Sequence, residues 1–162
     1  MTTLYKILTY LLVPVGLLFA LTTALLFAAA IQNPQLLLGL FMVACTAIYI
    51  FVSFYIVVGG INQDKPVGVV TKKWLIANGI VTGVYCGILF FTCASLTMST
   101  ENMNEFVTMF TNNFKRPEEI SQDQMLGILK SSLIVAVVLS FLLLVHTLLS
   151  IRIVKQYQHL FE

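Results

Sequence analysis

WLIANGIVTGVYCGILFFTCASLT, residues 74–97, carries no charge from end to end. About 20 apolar residues in helical form cross the ~30 Å hydrocarbon core of a bilayer, so this stretch is long enough to span one. Gly79, Gly83 and Gly87 recur in it every four residues, which places them nearly above one another on one helix face. A face without side chains lets a second helix approach closely. That matters in lipid, where the hydrophobic effect does not draw helices together. Residues 74–97 therefore predict the organising helix of a membrane bundle, with Gly79, Gly83 and Gly87 as its packing face, against either another helix of this chain or a partner.

Three further apolar runs flank it, at 7–31, 36–61 and 125–154. Charged residues are 10% of the chain and hydrophobic residues 59%, whereas a soluble domain has roughly a quarter charged residues. These numbers predict an all-α membrane protein. Its four transmembrane helices form an antiparallel bundle, and residues 1–162 make one transmembrane domain. The first run ends in Ala28, Ala29 and Ala30, as a signal-peptidase site does, but it exceeds the ~7–15-residue core of a signal peptide and reads as a retained span. Pro14 and Gly16 predict a kink in it.

The connections are short. Asn33 suits a helix N-cap and Pro34 the first helical position, so the first two runs read as a tight hairpin. Gly59 and Gly60 offer an exit from the second helix. A polar loop follows at 62–73, and Trp74, like Tyr5 and Tyr10, suits the membrane interface. The longest connection is 98–124. Within it Ser99 is positioned as a cap. Met103, Phe106, Val107, Phe110 and Phe114 form one apolar stripe at helical spacing, predicting a short amphipathic helix that covers the bundle end or offers a surface to a partner or lipid. Lys115-Arg116-Pro117 ends it, and Ser121 with Gln124 has capping-box spacing for the last helix.

Basic residues orient membrane proteins. With the N-terminus inside, the inner segments hold Lys6, Lys65, Lys72, Lys73, Arg152 and Lys155, and the outer ones only Lys115, Arg116 and Lys130. Both termini are expected in the cytoplasm, and compact form with short loops suggests a plasma (inner) membrane of bacterial type. A net charge of +2 with no basic tract gives no footprint for nucleic acid.

Polar groups inside the spans are few. Asn78, His146, Tyr55 and Ser53 lie at comparable depth and predict a polar layer, with Thr9 and Tyr10 at a similar level and Ser150 one turn from His146. Buried polar groups in hydrocarbon need partners. His146 reads either as an interhelical hydrogen bonder or as a proton relay, but every Asp and Glu lies outside the spans. Cys45, Cys86 and Cys93 sit in apolar runs without metal or redox spacing, as small packing groups. No cofactor or metal is implied. Thr82, Tyr85, Thr92 and Ser95 add hydroxyls to the third helix, as ordinary packing groups do.

Four-helix membrane families make useful contrasts. Disulfide-generating quinone reductases need loop cysteine pairs, lipoprotein signal peptidases two aspartates near the spans, small multidrug exporters an embedded glutamate, and membrane b-type cytochromes paired histidines. This chain places no residues in any of these arrangements. Without such chemistry, the expectation is a non-enzymatic integral membrane subunit that scaffolds or anchors a larger complex, its partners the bilayer and either another membrane protein or itself. The competing expectation is a small homo-oligomeric transporter, channel or lipid-handling protein.

Overall fold

The computed structural model describes residues 2–113 and 122–162. Every regular element among them is helical: α1 (Thr2–Gln32), α2 (Pro34–Tyr55), α3 (Val69–Met98), α4 (Thr100–Asn113) and α5 (Gln122–Gln156). Four helices are long and apolar enough to cross a membrane, at Thr2–Gln32, Pro34–Ile61, Val69–Met98 and Gln124–Gln156. Each extends past its apolar run. Backbone hydrogen bonding continues through polar residues, and in α3 it takes Lys72 and Lys73 into the first turns. The chain divides into two compact units, one of Met1–Tyr85 with Leu142–Glu162, the other of Cys86–Phe141.

In the first unit, α1 and α2 are joined through Asn33 alone. Its extended backbone (φ −130°) and its side-chain oxygen, which accepts from the Gln35 amide at 3.2 Å, start α2, with Pro34 in the first turn. The two helices then run back along each other. Gly16 faces Ile50 and, nearer the chain start, Tyr10 meets Phe54 edge-on at 5.8 Å. In the first half of α1 the buried residues, Tyr5, Leu8, Thr9, Leu12 and Gly16, keep the three-or-four-residue step of one helix face. Pro14 lies inside α1 without ending it.

Gly59 and Gly60 do not release the chain where expected. The helix widens into a π-helical stretch, Ile56–Ile61, that carries both. A Cβ on Gly60 would lie 3.1 Å from Val67, so its lack of a side chain admits the returning loop. That loop is shorter than the polar composition suggested, because α3 already begins at Val69. It turns at Asp64 (φ 51°) and Gly68 (φ 82°). The C-terminal residues pack against it. The Val67 amide donates to the Leu160 carbonyl at 2.7 Å, and Leu160 and Phe161, in a 3-10 turn (Gln158–Phe161), are buried. Tyr5, Val57 and Ile153 form an apolar core where α1, the π-helical stretch and α5 meet.

In the second unit, the Ser99 hydroxyl accepts from the Asn102 amide at 3.3 Å and starts α4. Met103 and Val107 are buried there, while Glu101 and Glu105 are exposed. The backbone of Phe110 is helical but its side chain is not described; Phe114, the Lys115-Arg116-Pro117 break and Ser121 lie outside the described residues.

Candidate functional site

Three helices each bring a pair of polar residues spaced four apart: Tyr5 and Thr9 on α1, Tyr49 and Ser53 on α2, His146 and Ser150 on α5. All six are buried. Four-residue spacing holds each pair on one face, and the three faces meet at His146. Its Nε2 lies 2.9 Å from the Thr9 hydroxyl and its Nδ1 2.8 Å from the Tyr49 hydroxyl. The Tyr49 hydroxyl also lies 2.6 Å from Ser150 Oγ. The Tyr5 ring stacks on the imidazole at 4.7 Å and 10°, and the Tyr49 ring meets it edge-on at 5.5 Å.

The protons of this cluster can be ordered in two ways. In one, Ser150 donates to Tyr49, Tyr49 to Nδ1, Nε2–H to Thr9, and Thr9 to the Tyr5 carbonyl at 2.8 Å. In the other the whole sequence reverses and ends with Ser150 donating to the His146 carbonyl at 3.0 Å. Both ends of the chain of hydrogen bonds are thus backbone carbonyls, which accept protons in hydrogen bonds but pass none on. No carboxylate stands in the cluster to balance a charged imidazole, and ion and proton paths in membranes normally carry one. The arrangement suits a closed knot between helices better than a relay.

Two hydroxyls at the knot, those of Tyr5 and Ser53, are buried with no hydrogen bond of good geometry among the described residues. A buried unsatisfied donor is a cost, so Tyr5→Phe is expected to leave stability unchanged or raise it by up to about 1 kcal/mol. Tyr49→Phe, which removes the link to both His146 and Ser150, should lower it by about 1–2 kcal/mol. Reversible unfolding of the two variants in mixed micelles checks the contrast. Equal losses would mean that the two phenols play the same part.

The polar layer expected from sequence is partly rearranged. His146 and Ser53 are brought together. Tyr55 is not: it is 55% exposed, because two residues beyond Ser53 is about 200° around a helix, and its ring lies over Gly59 instead. Asn78 is buried but donates to the Trp74 carbonyl of its own helix at 2.9 Å. Tyr10 takes a hydrogen bond from Asn62 at 3.2 Å. Tyr5 and Tyr49 were missed as members. The signal that would have found them is the four-residue pairing of polar residues within apolar runs.

The glycine face also differs from the expected single seam. A Cβ on Gly79 would lie 3.2 Å from the Tyr49 ring; on Gly83 it would meet only a Thr147 methyl at 3.7 Å; on Gly87 it would meet nothing within 4 Å. A four-residue step overshoots one turn of 3.6 residues by about 40°, so the face drifts around the helix. Where it leaves Tyr49, α3 and α5 flank an open groove of about 630 Å³. Gly79, Gly83, Tyr49 and Ser150 are among the residues that line it, as are Lys72 near the start of α3 and Lys155 near the end of α5.

No protein-family model matches this chain. Nor is any curated protein or solved structure significantly similar to it. Among the described residues no cluster of His, Cys, Asp and Glu is arranged to hold a metal ion, and Cys45, Cys86 and Cys93 are free and buried.

Proposed function

We propose that the chain is a non-enzymatic integral membrane subunit that scaffolds or anchors a larger membrane complex by helix–helix packing. In this proposal the four spans form an antiparallel bundle in a bacterial-type plasma membrane, with both termini cytoplasmic. Helix α4 is its amphipathic rim element; with Met103 and Val107 buried, its apolar stripe serves to cover the bundle end.

One observation carries the proposal: the chain covers little of its own spans. Of the most apolar window of Thr2–Gln32, 11% is buried within the chain, of that in Pro34–Ile61 39%, and of those in Val69–Met98 and Gln124–Gln156 22% each. The rest must face lipid or other helices. The inward groups, in contrast, spend their hydrogen bonds on one another around His146. The chemistry is turned inward and the free surface outward, as suits a packing subunit. A second reading, a small homo-oligomeric transporter, channel or lipid-handling protein, is favoured by the groove between α3 and α5.

Purification through a small tag in mild detergent from the native membrane separates the two. Light scattering gives the mass and mass spectrometry the companions. A larger protein at fixed stoichiometry is the expected result. A homo-oligomer without companion would overturn the subunit proposal.

A further inference from the structure

We infer that the groove between α3 and α5 binds one anionic phospholipid, with its phosphate between Lys72 and Lys155 and one acyl chain along Ile80 and Gly83. The groove has the two parts such a ligand requires. Its walls are apolar, with Ile80 and Ile151 both exposed along it. Its end is basic: among the described residues, neither Lys72 nor Lys155 makes an ion pair. The lysines stand near the start of α3 and the end of α5, at headgroup level for helices that span a bilayer. From Lys72 to Val84 the groove follows α3 for about 18 Å at 1.5 Å per residue. That matches the depth of one leaflet, about half of the ~30 Å hydrocarbon core.

Charge decides between lipid and a protein helix as occupant. Basic pockets between helices on the cytoplasmic side are sites for anionic headgroups. A second helix seated on this face would cover both ammonium groups, and burying charge without a partner is costly. A phosphate meets them where they are already wet. The small residue at Gly83, where a Cβ would meet only the Thr147 methyl at 3.7 Å, lets a thin, flexible chain lie close to the backbone, where a helix with side chains would need more width. The inference requires the chain to sit in a bilayer and does not depend on a protein companion.

The test is native mass spectrometry of the purified full-length protein with phosphatidylglycerol or phosphatidylcholine of identical acyl chains. One bound phosphatidylglycerol, retained at least tenfold better than phosphatidylcholine, is expected. At about fivefold per lysine near a membrane surface, Lys72→Gln with Lys155→Gln should weaken retention about thirtyfold. Lys65→Gln with Lys130→Gln changes net charge equally and should leave it intact. Ile80→Trp, at an exposed position, should block the chain's path without touching the lysines. Equal retention of the two lipids would overturn the inference. So would equal loss in the Lys65/Lys130 variant, unchanged binding in Ile80→Trp, or a protein crosslinked at Ile80→Cys. A companion protein found together with failed lipid binding would sink this inference and leave the subunit proposal standing.

Discussion

Replacing His146 with leucine should lower the free energy of unfolding by about 2–3 kcal/mol. Leucine fills much of the space but accepts and donates nothing. Two interhelical contacts disappear, at 2.9 Å to Thr9 and 2.8 Å to Tyr49, together with the stacking of Tyr5. Hydrogen bonds between membrane helices average about 0.6 kcal/mol and reach about 1.7, and an aromatic pair adds about 0.5–1.5. The loss is limited because Thr9 can still donate to the Tyr5 carbonyl and Tyr49 can still pair with Ser150. His146→Gln keeps a donor and an acceptor and should cost less. Unfolding by denaturing detergent in mixed micelles measures both; no loss in His146→Leu would remove the knot from the account of stability.

The largest effect of a single methyl group is expected at Gly16. A Cβ there would lie 2.9 Å from Ile50 Cγ2 and 3.2 Å from its Cβ. Ile50 is buried, and its β-branch is stiff, so relief requires α1 and α2 to move apart. Overpacking of this kind costs about 1–3 kcal/mol, and Gly16→Ala should fall near the upper end. Gly79→Ala should cost about 1 kcal/mol, since the Tyr49 ring at 3.2 Å is pinned through its hydroxyl and can give only slightly. Gly87→Ala meets nothing within 4 Å and should be neutral. Thermal or detergent-induced unfolding of the three variants gives the order, and equal losses at Gly16 and Gly87 would contradict it.

This glycine order was not legible in the sequence, and the reason is physical. Spacing reveals which residues share a helix face, but not which face meets which helix. The repeat at Gly79, Gly83 and Gly87 is regular, yet only its first member meets a tight neighbour. Gly16, next to Pro14, looked like part of a kink, and Ile50 on another helix could not be named as its partner. The four spans, in contrast, were plain, because a long uncharged run has few alternatives to a membrane helix. The Asn33 cap and the Ser99 start of α4 were also readable, since capping is decided within a few residues. His146 stood out as the sole histidine within a span. Tyr5 did not, because tyrosine near a span end usually marks the interface, nor did mid-span Tyr49, one of several aromatics in its run; Tyr55 was assigned to the layer by depth without regard to face.

A double-mutant cycle between Tyr49 and His146 tests most directly whether the inward chemistry of this chain is a structural knot. Tyr49→Phe, His146→Leu and the double variant would be unfolded under one set of conditions. The account predicts a coupling of about 0.5–1.7 kcal/mol, because the second substitution removes a contact the first has already broken. Effects that add to within about 0.3 kcal/mol would contradict it, and His146 would then have to be explained by something other than the bond to Tyr49.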